Sequence, residues 1–176
     1  MGLTPDPADL ETPSPEQARI AEKLRAHLGD AYRGERVFRK QLSLYVDPRR
    51  ILDALRFLKG DPELLFEFLS DITSVDRLPE RGPGEPRFEV VYNLYSLTFN
   101  RRVLVKAALE DGVTIASATV VWSGANFLER EVYDLMGIVF EGHPNLERIL
   151  TADGWLGHPL RKDFPTRVDQ FPMVEN

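Results

Sequence analysis

Three stretches of strand-like sequence follow one another between residues 64 and 109, with no helical pattern between them. This is the strongest constraint on the fold. Strands joined by short loops pair antiparallel, whereas parallel neighbours need a crossover of a dozen or more residues. The stretches are Leu64–Val75, Phe88–Leu97 and Val103–Leu109. In the last of these, Val103, Val105, Ala107 and Leu109 recur every second residue and share one face. The run Leu78–Pro86 holds three prolines and two glycines and is a loop. Asn100 and Arg101 suggest a hairpin turn, although the strongest turn pairs are absent.

Helices flank this block. Ser14 is placed to cap the first, with Pro15 at its first position and Gln17 completing a capping box. Ile20, Ala21, Leu24 and Leu28 form its apolar stripe, and Gly29 stops it. Residues 41–46 alternate, with Leu42, Leu44 and Val46 on one side, as a half-buried strand does. Asp47 and Pro48 then open a second helix with the stripe Ile51, Ala54, Leu55 and Leu58, closed by Gly60. A third helix spans Gly124–Met136, with Ser123 as cap and Gly137 as stop, and a short one covers Asn145–Leu150. The expected class is α+β: a two-layer sandwich of a mixed or antiparallel sheet, helices on one face, and an extended C-terminal tail. The expected divisions are a disordered 1–13, a domain over 14–150 and a partner-docking tail over 151–176.

Composition removes several functions. The formal net charge is −6, unsuited to nucleic acid as the main partner. There is no cysteine, hence no disulfide, no thiolate-bound cluster and no zinc site of the common kind. No signal peptide or membrane-length apolar run is visible, so membrane contact is expected only through a partner.

Chemistry-bearing residues concentrate after Trp122. On a helical wheel Ala125, Leu128, Val132, Leu135 and Met136 gather on one face, with Arg130 and Asp134 opposite and spaced to pair. Glu129 and Glu131 border the stripe, where carboxylates need donors or cations, and the basic residues downstream (Arg148, Arg161, Lys162) are candidates to supply them. As a catalytic set, Glu129, Glu131, Asp134 and His143 fail on spacing. Residues two apart on a helix diverge by about 200°, and no H-E-x-x-H, nucleophile elbow or phosphate loop is present. His27 reads as a surface residue, while His143 and His158, each before a proline, read as structural or interface residues rather than metal ligands.

The string LEREVYDLMGIVFEGHPNLERIL followed by GHPLRKDFP resembles the diagnostic stretch of a small hydrophilic-arm family, the C subunits of NADH–quinone oxidoreductase, respiratory complex I. The resemblance rests on Glu129, Arg130, Glu131, Tyr133, Asp134, Gly137, Phe140, His143, Pro144, Arg148, Ile149 and Leu150. In the second block it rests on Gly157, Pro159, Leu160, Arg161, Lys162, Asp163 and Pro165. One departure is Val120, where family members often carry an acid two residues before the tryptophan; the tail after Pro165 is also short beside many members.

The resemblance implies a structural component of the peripheral arm with no active site of its own. It implies that the FMN, iron–sulfur clusters and quinone of the complex lie in other subunits, none bound by this chain. The implied main partner is the D subunit, which resembles a hydrogenase large subunit and helps to form the quinone pocket. Other peripheral-arm subunits surround the pair, on the cytoplasmic face of the inner membrane. Related ferredoxin–plastoquinone oxidoreductases and membrane-bound hydrogenases have equivalent subunits, and a free-standing carboxylate-based enzyme is the rival from another class. The proline-rich tail carries Trp155, Leu156, Leu160, Phe164, Phe171 and Met173, apolar anchors suited to a partner surface. On this reading, loss of Arg161 or Asp163 weakens assembly but not the fold, and loss of Glu131 costs the fold ~1–3 kcal/mol.

Overall fold

The computed structural model describes residues 10–78, 80–82 and 84–165. Helix α1 (Pro15–Leu28) leads into strands β1 (Tyr32–Phe38) and β2 (Gln41–Val46), then helix α2 (Ile51–Gly60). Strands β3 (Phe68–Asp76), β4 (Phe88–Ser96) and β5 (Arg101–Leu109) follow. Short strands β6 (Ile115–Ala116) and β7 (Phe140–Glu141) bracket helix α3 (Ala125–Met136). Five strands form one sheet in the order β1-β2-β5-β4-β3. Within this sheet only β2 and β5 run parallel, joined across α2, β3 and β4, and the other neighbours are antiparallel; β6 and β7 form a separate parallel pair. The class is α+β with a mixed sheet, and the uninterrupted strand block supplies its antiparallel part, β5-β4-β3.

All three helices cover the same face. Leu42, Leu44 and Val46 of β2, Val103, Val105, Ala107 and Leu109 of β5, and Val90, Tyr92 and Leu94 of β4 join one core with the stripes of α1 and α2. Those stripes are the expected ones: Ile20, Ala21, Leu24 and Leu28, then Ile51, Ala54, Leu55 and Leu58. The Ser14–Gln17 capping box closes as its sequence requires. Asp47 caps a single 3-10 turn, Pro48–Arg50, which leads into α2.

Several expectations are corrected. Strand β1 carries Arg33, Glu35 and Arg36 around Gly34 and buries only Val37, so it showed no alternation to read. β3 begins at Phe68, not Leu64; Leu64 and Phe66 are buried from the preceding loop, which made the run look like continuous strand. Ser123 does not cap α3, whose N-cap is Gly124 with no side-chain bond. No helix forms over 145–150, because the backbone N–H groups of Ile149, Leu150 and Thr151 all point to the Asp134 carboxylate. Of the segment expected to be disordered, residues 1–9 lie outside the described residues. Glu11, however, is tied to the edge of β1 through Val37 O at 3.0 Å.

Candidate functional site

The family-like residues meet where α3 touches the strap that follows it, residues 143–165. Asp134 is the centre. Its side chain is fully buried and accepts five bonds: from the N–H groups of Ile149, Leu150 and Thr151, the Thr151 hydroxyl and Arg148 Nη1. Burial pushes this carboxyl up, but the Thr151 and Leu150 donors and Arg148 outweigh it, holding the group well below the usual carboxylate range. The backbone oxygen of Asp134 accepts from Arg148 and faces His158 Nδ1 at 2.9 Å. Arg148 also donates to Gly157 O. One helical residue thus fixes the strap at two places, residues 148–151 and His158.

Gly137 makes the close approach possible. It ends α3 at φ 75°, and a Cβ there would lie 2.5 Å from the His158 ring and 2.7 Å from Arg161. Past that point Arg161 donates to Met136 O and pairs with Asp111. Asp76, buried at the end of β3, takes two bonds from Arg87 and one from the Lys162 N–H. Arg87 also reaches Asp163 at 2.6 Å and Asp111 at 3.0 Å. That guanidinium holds the Asp163 carboxyl below its ordinary value.

Glu129 has a different environment. It is 0% exposed and accepts from Ser117 Oγ and Ala118 N–H, both at 2.6 Å. The nearest cation-forming group among the described residues is His143 Nε2, 4.0 Å away. His143 Nδ1 accepts the Asn145 N–H, which leaves the ring proton on Nε2 facing Asn126 O at 3.1 Å. Burial without a cation raises the Glu129 carboxyl to about 7, against the lowering effect of its two donors. Tyr92 lies fully buried on β4, and burial followed by the Glu129 charge raises its phenol.

The sequence-derived set therefore splits. Arg130 does not pair with Asp134; it donates to Glu147 O and Arg148 O. Glu131 is exposed, so its expected cost to the fold is withdrawn, and neither glutamate receives Arg148, Arg161 or Lys162. Tyr133 stands edge-on to His158 at 6.3 Å. Pro144 and Pro165 are exposed and Pro159 half-buried. Arg161 and Asp163 bind their own domain, so both are part of the fold rather than free for assembly alone. Ser117, Thr151, Asp76, Arg87 and Asp111 escaped sequence reasoning, because each gains its role from a partner 11 to 86 residues away. His27 is exposed and stacks on Phe57. Phe171 and Met173 lie outside the described residues. Among the described residues no group of three His, Cys, Asp or Glu is placed to hold a metal ion, and no helix is long and apolar enough to cross a membrane.

The strap's outer surface completes the geometry. While its arginines and N–H groups turn inward, Leu150, Leu156 and Leu160 are 59%, 49% and 53% exposed. Val113 and Val139, flanking β6 and β7, are also exposed.

Residues 44–170 match the family model described as respiratory-chain NADH dehydrogenase, 30 Kd subunit. The chain is 47% identical to the C subunit of NADH-quinone oxidoreductase from Roseiflexus sp. (strain RS-1), over 92% of this chain and 91% of that protein. It is 48% identical to the mitochondrial NADH dehydrogenase [ubiquinone] iron-sulfur protein 3 of Candida albicans, over 74% of this chain and 45% of the longer relative. Among solved structures, a trypsin-resistant fragment of Nqo5 superposes with TM-score 0.64 at 35% identity, covering 74% of this chain and 99% of the fragment. A chain of an archaeal membrane-bound sulfane sulfur reductase superposes with TM-score 0.66 at 26% identity, covering 85% of each.

Proposed function

Because this chain belongs to the family of the 30 kDa subunit of respiratory-chain NADH dehydrogenase, we propose that it is a structural component of the peripheral arm of an NADH–quinone oxidoreductase. It packs through its strap against the quinone-binding D subunit and has no active site of its own. Electrons pass from NADH to quinone through cofactors held by other subunits. The complex sits on the cytoplasmic face of the inner membrane, and this chain meets the membrane only through it.

The observation that carries this reading is the inverted polarity of the strap. A lone exposed leucine is ordinary, but arginines bonded inward beside three exposed leucines on one short segment are not. Here Arg148 and Arg161 are bonded inward and Leu150, Leu156 and Leu160 face out. Fixing a segment in that sense costs apolar exposure, and a partner surface recovers it. The relation to a sulfane sulfur reductase chain indicates that the fold serves complexes with other electron acceptors. The higher identity, 47% against 26%, favours the NADH enzyme.

The test is co-expression with the quinone-binding D subunit followed by size exclusion. The expected result is a stable complex that is lost when Leu150, Leu156 and Leu160 are changed together to Glu, with the variant still folded by circular dichroism. A wild-type chain that elutes as a monomer beside that partner overturns the proposal.

A further inference from the structure

Among the described residues, the second face of the main sheet carries no helix. Its side chains fall in rows set by the register. One row is Gly34, Tyr45, Lys106, Val91 and Thr73; the next is Arg36, Ser43, Leu104, Asn93 and Asp71. Beyond them stand Arg102 and Tyr95, directly opposite each other, with Phe68 beside Tyr95 and 52% exposed. Val91 is buried on this face yet lies apart from the helix-covered core.

Two properties distinguish the face from ordinary solvated sheet. The first is charge. Four bases, Arg36, Arg77, Arg102 and Lys106, meet four acids, Asp71, Glu80, Glu85 and Glu89, so the pairing rather than the net charge sets this face apart. Glu89 engages Arg77 and Lys106, which leaves Arg36 and Arg102 with no carboxylate partner in range among the described residues. The second is composition. Tyrosine and arginine, the residues enriched at protein interfaces, stand here around Val91 and Leu104. A depression of about 370 Å³ opens at one end, lined in part by Arg36, Tyr45, Arg77 and Glu89.

We infer that the helix-free face of the sheet docks an acidic segment of a neighbouring polypeptide, whose carboxylates pair with Arg36 and Arg102. This rests on the reading of the chain as one component of a larger complex, and adds to it a second surface remote from the strap. Charge alone also admits a nucleic acid, but bases need free aromatic platforms. Here Arg36 and Lys106 lie over the Tyr45 ring at 5.5 and 5.6 Å, and Arg102 lies over Tyr95 at 5.7 Å. Those two tyrosine rings are already faced by cations that a carboxylate can bridge, and Phe68 alone gives no run of platforms for successive bases, which favours protein.

The experiment uses the full chain in its host, replacing wild type with a tagged Arg36→Glu, Arg102→Glu double variant. Membranes are solubilised and the tagged chain's share in the assembled complex is read on native gels. A loss of at least about tenfold, the effect of roughly 1.4 kcal/mol at an interface, is expected. In parallel, a photo-reactive phenylalanine analogue at position 43 of the otherwise wild-type chain should give one adduct, mapping by mass spectrometry to an acidic peptide of a neighbouring polypeptide. If the double variant does not fold, that adduct decides alone. Wild-type-like assembly of a folded variant, or no adduct at position 43, overturns the inference. Tight binding of a fluorescent oligouridylate that the double variant loses overturns it in favour of nucleic acid. Absence of the wild-type chain from any complex instead defeats the reading as a component of one, so the two failures are distinguishable.

Discussion

Glu129→Gln should stabilise the domain at alkaline pH and flatten its pH dependence. In the folded chain the carboxyl is raised from 4.5 to about 7, by burial first, with only a hydroxyl and one N–H to solvate its charge. Between those values the folded state keeps a proton that the unfolded chain has released. Stability therefore falls as pH rises across this window, by about 1.4 kcal/mol per pH unit. The full loss is about 3 kcal/mol, absent below the unfolded value and complete above the folded one. A glutamine keeps an acceptor for the Ala118 N–H. Ser117 Oγ can turn to accept from the new amide, because a hydroxyl serves either role. The variant should match wild type near pH 5 and exceed it by about 2–3 kcal/mol at pH 8. Urea unfolding of the full chain, followed by Trp122 and Trp155 fluorescence at both pH values, measures this directly. Equal losses in wild type and variant between pH 5 and 8 would show that Glu129 is ionised at no cost, and the argument from its burial would fail.

Asp134→Asn replaces an acceptor of five bonds by a group that must present donors to donors. It should cost about 3–5 kcal/mol in urea unfolding and open the 143–165 strap to protease. Gly137→Ala meets both a positive φ and the His158 ring at 2.5 Å, so it should cost more than the ~1–2 kcal/mol of the backbone conformation alone, read as a fall in melting temperature. Asp134, Asp76 and Asp163 all titrate below their ordinary value of 3.8. The stability they contribute is present above that pH and lost as pH falls through the depressed values, so the strap should become protease-sensitive only on acidification below about pH 4. Glu131→Ala, on an exposed side chain, should change stability by less than about 0.5 kcal/mol by the same denaturation assay.

Elements with a local signal could be read from the chain. The α1 capping box, the Asp47–Pro48 start and the period-two pattern of β5 each depend on residues within a few positions. β1 had no such signal, because an edge strand carries charges for the same reason that edges must resist pairing. Helix α3 misled in another way. A wheel assigns charged residues outward, yet Glu129 and Asp134 are fully buried on it while Leu128 and Leu135 are only partly so. Their donors are Ser117 and Ala118 upstream and residues 148–151 downstream, and no periodicity within the helix encodes those loops. The same carboxylate explains why 145–150 is not a helix. Asp134 takes the N–H groups that a helical turn would have used, which an i to i−4 pattern cannot reveal.

The two buried carboxylates of α3 lie five residues apart and differ in what they hold. Glu129 receives a hydroxyl and one N–H from residues 117–118, against the body of the domain, and gains no Lys or Arg among the described residues. Asp134 receives three N–H groups, a hydroxyl and a guanidinium, all from the strap. A carboxylate with that many donors stays charged when buried, and its field organises whatever supplies them. The strap has neither helix nor strand to set its course after β7, so its shape is set by this anion and by the Arg87–Asp163 pair beyond it. The outward direction of Leu150, Leu156 and Leu160 follows from that, since the polar groups nearby are drawn the other way. A charge placed inside the domain is therefore what presents an apolar surface outside it.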